Sequence, residues 1–319
     1  MPYIQTVTGK MPPESITFCH CHEHLMLSKG KSYEINNVLC IDDFKKSLLE
    51  LQDFYSQGGS TIVDAQPVGC NRMTEELVAL SKESNVQIIA STGFHKMVFY
   101  PDNHWIFQYS SEKMTDLFLH EIRTGMYIES DDAAPYKYID AKAGIIKCAL
   151  DRSGLDHQYE KLFSAASDAA NTSKIPLMVH IEQGSDPVAL ADYLYQNQVD
   201  LNNVIFCHMD RACADLSVHK EICERGIYLE YDTIGRPKYH DDEKEASIFC
   251  ELIRSGYEDK LLFSLDTTRA RLKSYTPEGV GLTYILHTFI PLLKAHGISK
   301  SQLKKIACYN CRHILTLEN

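Results

Sequence analysis

Several features are missing from this sequence, and each absence removes a class of function. Nowhere do about 18 apolar residues run together, the length a membrane span requires. Met1–Lys10 lacks a charged segment followed by an apolar run, so no signal peptide is expected. Lys and Arg number 32 against 43 Asp and Glu, a formal net charge of -11, and no dense basic tract offsets this. That argues against a nucleic-acid partner, because a phosphate backbone needs clustered positive charge. No G-x-S-x-G turn is present, which leaves a Ser/His/Asp hydrolase without support. Low-complexity tracts, internal repeats and linker-like shifts in composition are absent too, so one domain covering 1–319 is expected.

Cysteine, by contrast, is plentiful. The count is 11, an odd number scattered along the chain, with Cys19, Cys148, Cys207 and Cys250 inside apolar segments. Free thiols in such places behave as small hydrophobes, and a reducing cytoplasm is expected. Cys308 and Cys311 form a CxxC followed by His313. With no second ligand pair and no thioredoxin-like surroundings in the sequence, they read as packing on a terminal helix.

The 319 residues are 44% hydrophobic, enough for a full globular core. Short apolar runs alternate with longer amphipathic segments, the pattern of a parallel sheet crossed by helices. Eight strands are expected: Ile16–Cys21, Thr61–Asp64, Gln87–Thr92, Ala143–Cys148, Leu177–His180, Val204–His208, Ile227–Tyr231 and Leu261–Leu265. Between them helices are expected over Asp42–Gln57, Glu75–Ser84, Asp156–Asn171, Pro187–Gln196 and Glu243–Ser255, with Gly279–His296 and Ser301–Leu315 closing the chain. Eight such repeats form a (β/α)8 TIM barrel, here with an extra C-terminal helix. Long connections follow strands one, three, seven and eight, at the end of the barrel where active sites are built.

Ligand-type residues fall at those strand ends. His22 and His24 end the first strand, Lys147 lies near the end of the fourth, His180 ends the fifth and His208 the sixth, while Asp266 follows the eighth. Four imidazoles and a carboxylate converging on one rim pack poorly but suit zinc-like ions. His20 shares strand parity with His22 and His24 and is expected to face the interior one layer deeper. It reads either as an extra ligand or second partner of the site, or as a buried histidine bonded to a neighbouring strand.

These segments resemble the phosphotriesterase-like family of the amidohydrolase superfamily, and its phosphorylated sugar lactonase members in particular. The likeness runs from about Ile16 onward through HEHL, GIIK, PLMVH, FCHMDR, YDTIG and FSLDTTR. Where members usually carry a Thr-Leu pair before the first two histidines, this chain has Cys19 and His20. The resemblance implies that His22, His24 and Asp266 hold a more buried divalent ion, and His180 with His208 a more exposed one. Lys147, converted to a carbamate, would bridge the two. Zinc is expected, with manganese or cobalt as alternatives. A metal-activated hydroxide would attack the substrate, and Asp266 would act as the catalytic base.

Arg211, Arg236, Lys238, Arg269, Arg271 and Lys273 lie in three loops near that rim. In an acidic chain this points to an anionic substrate, with phosphate held by some of Arg211, Lys238, Arg269 and Arg271. Tyr100, Trp105 and Tyr231 are candidate apolar walls. Hydrolysis of a phosphorylated aldonolactone is the leading expectation, in a protein that forms a homodimer. The alternatives are a phosphotriesterase, whose neutral bulky substrates call for an apolar pocket, and an inactive barrel kept as a binding protein.

Overall fold

The computed structural model describes residues 1–318. Its eight parallel strands are β1 (Cys19–Glu23), β2 (Thr61–Asp64), β3 (Gln87–Gly93), β4 (Ile145–Leu150), β5 (Leu177–Ile181), β6 (Val204–Cys207), β7 (Tyr228–Tyr231) and β8 (Leu261–Phe263). They pair in chain order from β1 to β8 in one sheet. The sheet curls so that its ends meet: the His22 amide donates to Ser264 Oγ at 3.0 Å, and the Asp266 amide to the His22 carbonyl at 3.2 Å. This is the (β/α)8 barrel expected from the pattern, with strand bounds shifted by at most three residues.

Helices cover the outside: α1 (Phe44–Ser56), α2 (Thr74–Ser84), α3 (Ser111–Arg123), α4 (His157–Ser173), α5 (Pro187–Gln196), α6 (Leu216–Glu224) and α7 (Asp242–Arg254). Six of them start where an Asp or Ser side chain accepts an otherwise unpaired amide: Asp43, Ser110, Asp156, Asp186, Asp215 and Asp241. Helices α3 and α6 are not among those expected from the sequence. Both open at such a cap, Ser110 and Asp215, inside stretches whose polar composition resembles loop. Further helical segments, Ile290–Ala295, Lys300–Lys304 and Asn310–Leu315, end the chain. None of the helices among the described residues is long and apolar enough to cross a membrane.

The apolar core divides in two. One cluster fills the layer between sheet and helices. The other gathers Cys19, Cys21, Val63, Ile89, Ile145, Met178, Ile205, Cys207 and Leu262, one strand after another, and takes helical residues only from the terminal segment. This second group is the barrel interior, plugged from below by the last helix.

The first strand breaks its own alternation. Cys19 pairs with Thr61 and His20 with Ile62, but the next pair is Glu23 with Asp64, so β1 carries one extra residue. Such a bulge re-aims the side chains beyond it. Cys19 and Cys21 face the interior, whereas His20 points outward against Phe18 and Phe54, with ring centroids 5.7 and 4.9 Å away. The expectation of an inward His20 fails because simple parity does not survive the bulge. His20 is neither a ligand nor bonded to a neighbouring strand; its Nδ1 lies 2.7 Å from Glu23 Oε1 on its own strand.

Glu23 in turn ties the seam. Its Oε1 accepts from Ser264 Oγ at 2.8 Å and from the Leu265 amide at 3.0 Å, and its Oε2 from the Thr267 amide at 3.0 Å. Burial alone would raise this carboxyl, but His20, Thr267 and Ser264 hold it below the usual range as a carboxylate. Glu23→Gln, which replaces an acceptor oxygen by a donor facing an amide, is expected to cost about 2–4 kcal/mol. An unfolding free energy from urea titration within about 0.5 kcal/mol of wild type would show that the seam does not depend on this carboxylate.

Candidate metal centre and active site

The barrel brings the six ligand-type side chains together. His22, His24 and Asp266 each present a donor atom within 4.8 Å of the other two. Asp266 Oδ1 is 3.5 Å from His24 Nε2 and 3.8 Å from His22 Nε2. Lys147, fully buried, places Nζ 3.4 Å from His22 Nε2. Nitrogen and oxygen ligands at about 2.0–2.2 Å from one tetrahedral ion lie roughly 3.4 Å apart, so this donor set fits a divalent metal. The His208 ring stands 4.7 Å from that of His22 and 4.4 Å from that of His180, centroid to centroid.

Two of these residues sit in a conformation that side chains with a Cβ rarely adopt. His208 has φ 65° and Asp266 φ 48°, both in the left-handed region. Strain of this kind persists where the surroundings fix it, and it gathers at functional sites. The approach of β3 to β4 has its own requirement. The Phe94 amide donates to the Lys147 carbonyl at 2.8 Å, and a Cβ on Gly93 would come within 1.9 Å of that oxygen. Only glycine lets the end of β3 close on β4 at Lys147.

Carboxylates stand behind the imidazoles. His180 Nε2 meets Glu182 Oε2 at 3.1 Å, which leaves Nδ1 for a ligand bond, and Lys96 holds the same oxygen at 2.6 Å. His208 Nδ1 lies 2.5 Å from Asp232 Oδ2, and His22 Nδ1 lies 3.5 Å from Glu230 Oε2. The contact to Asp232 is close but not aligned as a hydrogen bond, since His208 Nδ1 and both Asp232 oxygens lack a partner of suitable geometry. A carboxylate behind an imidazole fixes its ring and tautomer, as is common around metals. Burial, then Lys147, pushes His22 well below its usual value; burial, then Arg211, does the same to His208. His180 falls to about 4, chiefly by burial, against the pull of Glu182. All three are neutral at pH 7, the form that donates a lone pair.

Asp266 joins this cluster to a cationic wall. Its Oδ2 accepts from Arg211 Nη2 at 2.9 Å and from Arg236 Nη1 at 3.0 Å. Burial would raise its carboxyl, but Arg236 and Arg211 hold it well below the usual range. Arg271 is buried; its Nη2 donates to the Ile234 carbonyl at 2.6 Å, while Nε and Nη1 have no partner. Burial and neighbouring Arg236 bring it down to about 10, so it stays charged at neutral pH.

A cavity of about 480 Å³ opens over these groups, lined by four of the histidines and Asp266 together with Arg211, Arg236, Lys238 and Arg271. Arg269 does not line it; its amide donates to the Val38 carbonyl instead. The expected walls Tyr100, Trp105 and Tyr231 do not line it either. Each is buried elsewhere, with its polar atom bonded to the His95 amide, the Ser130 carbonyl and His219 respectively. Phe99, Tyr239 and Leu39 take that place. His95 and Lys96, not among the expected site residues, also line the cavity. They come just after Gly93, which ends β3, so a search of strand ends for polar residues covers them as well. His95 Nδ1 accepts the Lys96 amide at 2.7 Å, and burial keeps the ring neutral. The remaining nitrogen, Nε2, therefore carries the proton.

Comparison with known proteins identifies the family. The sequence profile of the Phosphotriesterase family matches residues 2–315. A phospho-furanose lactonase of Mycoplasmopsis synoviae is 27% identical over 325 residues, spanning 99% of this chain and 92% of that one. An N-acetyltaurine hydrolase of Bos taurus is 28% identical over 356 residues, spanning 99% and 98%. The crystal structure of an amidohydrolase from Mycoplasma synoviae superposes with a TM-score of 0.94 at 26% identity, over 99% of this chain and 92% of that one. The chain is a hydrolase, and it belongs to the Phosphotriesterase family.

Proposed function

We propose that this protein is a dinuclear metal-dependent lactonase that opens a phosphorylated sugar lactone. The observation that carries the reading is that one cavity unites the ligand-type histidines and Asp266 with Arg211, Arg236, Lys238 and Arg271. A bare ester site needs no such wall, and a neutral phosphotriester would gain nothing from it. Four cations suit a phosphate, and the unpartnered Nε and Nη1 of Arg271 supply two donors for its oxygens. The phospho-furanose lactonase relative supports the same substrate class. An inactive binding barrel would be expected to lack some ligands, whereas all six positions carry donor residues here.

On this reading His22, His24 and Asp266 hold one divalent ion, zinc being the first choice, and His180 with His208 a second. Lys147, as a carbamate, would supply a further anionic ligand to them. When bound, the ions supply Lewis acidity and a water acidic enough to ionise near neutral pH. Asp266 would take a proton from the attacking water as its oxygen bonds to the lactone carbonyl carbon, and would pass that proton to the ring oxygen as the ester C–O bond breaks. Arg211 and Arg236 hold Asp266 ionised and in place for this transfer. His95, a neutral imidazole fixed by the Lys96 amide, offers its Nε2–H toward the cavity.

Metal-replete protein is expected to hold about two ions per chain by elemental analysis. Lys147→Ala should lower that count, and Lys147→Glu, which restores an anion, should keep it. An unchanged count in Lys147→Ala would remove the bridging role. Asp266→Ala should reduce kcat by roughly 10²–10⁴-fold with the fold intact by circular dichroism.

Substrate class is tested by assaying a phosphorylated furanose lactone, its unphosphorylated counterpart, N-acetyltaurine and a phosphotriester side by side. Wild type should favour the phosphorylated lactone. Arg271→Met should lower its kcat/KM by roughly 10- to 100-fold, a loss of about 1.5–3 kcal/mol, and leave the unphosphorylated lactone nearly unaffected. Equal turnover of both lactones by wild type would overturn the phosphate assignment, and preference for N-acetyltaurine would replace the lactone with an anionic amide.

A further inference from the structure

At the other end of the first strand lies a second cluster of donor atoms, and it contains no imidazole or carboxylate. Cys19 and Cys21 project from β1 into the barrel interior. The terminal helix Asn310–Leu315 brings Cys311 up against them from below. The three sulfurs lie within 4.8 Å of one another, and Cys21 Sγ is 3.3 Å from Cys311 Sγ. All three residues are buried, with at most 1% exposure. The CxxC of the last helix thus finds the second ligand pair that the sequence did not place beside it: a C-x-C some 290 residues upstream.

We propose that Cys19, Cys21 and Cys311 form a trigonal site for a thiophilic monovalent cation of the Cu(I) class, separate from the active site. Three sulfurs about 2.3 Å from a central ion stand roughly 4 Å apart, which matches the spread of this trio. Soft thiolate sulfur selects such ions over the harder ones that imidazole and carboxylate hold. The apolar shell of Ile4, Ile16, Ile314 and Leu315 keeps water away.

Coordination number favours an ion of the Cu(I) class. Zinc takes four ligands in a tetrahedron, whereas these three sulfurs are enclosed by an apolar shell. Cys308, although part of the same CxxC, is not in the trio; its Sγ is directed to the Ile16 carbonyl at 3.1 Å. The bound ion would clasp the strand that carries His22 and His24 to the chain's last helix. Because the site is closed in the folded state, loading accompanies folding or opening of that helix.

The test uses full-length reduced protein under anaerobic conditions, titrated with Cu(I) as its acetonitrile complex against a chromophoric Cu(I) chelator. Wild type should retain one equivalent per chain, with a copper-edge X-ray absorption spectrum showing a shell of three sulfurs. Cys21→Ser and Cys311→Ser should lose that equivalent, and Cys308→Ser should keep it. No retained copper, retention unchanged in Cys21→Ser and Cys311→Ser, or a nitrogen and oxygen shell would overturn the proposal. Should both serine variants fail to fold, the wild-type sulfur shell alone decides, since the active-site cluster contains no cysteine.

Discussion

Where β1 meets β8, the Glu23 carboxylate gathers two backbone amides, the Ser264 hydroxyl and the His20 imidazole around itself in a fully buried position. The segment it grips, Ser264–Thr267, contains Asp266. With the flanking amides of Leu265 and Thr267 pinned, the chain between them has little freedom, and Asp266 is driven into the left-handed conformation. That conformation turns its carboxylate across the seam toward His22 and His24. The bulge in β1 is the other half of the same device, because it lets consecutive parts of one short strand face opposite layers. His20 and Glu23 therefore anchor from the outer core while His22 and His24 serve the site. A carboxylate that binds no substrate sets the geometry of one that stands at the centre of the site.

A cationic cavity in a chain of net charge -11 follows from how charge is layered. The innermost layer is imidazole held neutral by burial, so it adds no positive charge beside Lys147. Asp266 comes next, and its negative charge attracts Arg211 and Arg236 to the rim. Asp210 lies behind them; its carboxylate accepts the amides of Arg211, Asp232 and Thr233 and so braces the loops after β6 and β7 against each other. Carboxylates such as Glu83, Glu112 and Glu243 are exposed on the outer helices, where water screens them beyond about 10 Å. Global charge and pocket charge are therefore nearly independent here, and only the pocket's charge bears on the substrate.

Much of this was legible in the sequence, for a definite reason. A strand covered on both faces reads as an unbroken apolar run, so its end is marked wherever a polar residue interrupts it, and Lys147, His180 and His208 were found in that way. The loops gave less. Nothing in the sequence distinguishes Arg269, whose backbone is tied to Val38, from Arg271, whose side chain is buried beside the cavity, because a two-residue difference in a 3₁₀ turn changes which wall a side chain meets. Tyr100, Trp105 and Tyr231 illustrate the same limit. A buried aromatic needs a partner for its polar atom, and that partner lay inside the fold rather than in the cavity. His20 failed for another reason: a bulge leaves no trace in residue type, and alternation is only as good as the register behind it.

Register also accounts for how one strand can carry two donor chemistries without mixing them. From Cys19 to His24 the side chains run thiol, imidazole, thiol, imidazole, carboxylate, imidazole. On a regular strand the thiols would share one face and all three histidines the other, and no pair of histidines could close on Asp266 while the third anchored the outer core. One extra residue resolves the conflict. Below it the thiols look into the barrel and meet the last helix; above it the imidazoles look into the barrel and meet Lys147 and Asp266. Soft sulfur and harder nitrogen or oxygen donors then lie at different depths of one interior, with apolar side chains such as Ile145 and Met178 in the same packed layer. A metal ion entering from the cavity meets only the harder set, and the thiols are reached only where the terminal helix closes the barrel from below. The separation needs no second domain, because a single bulge and a helical plug are sufficient for it.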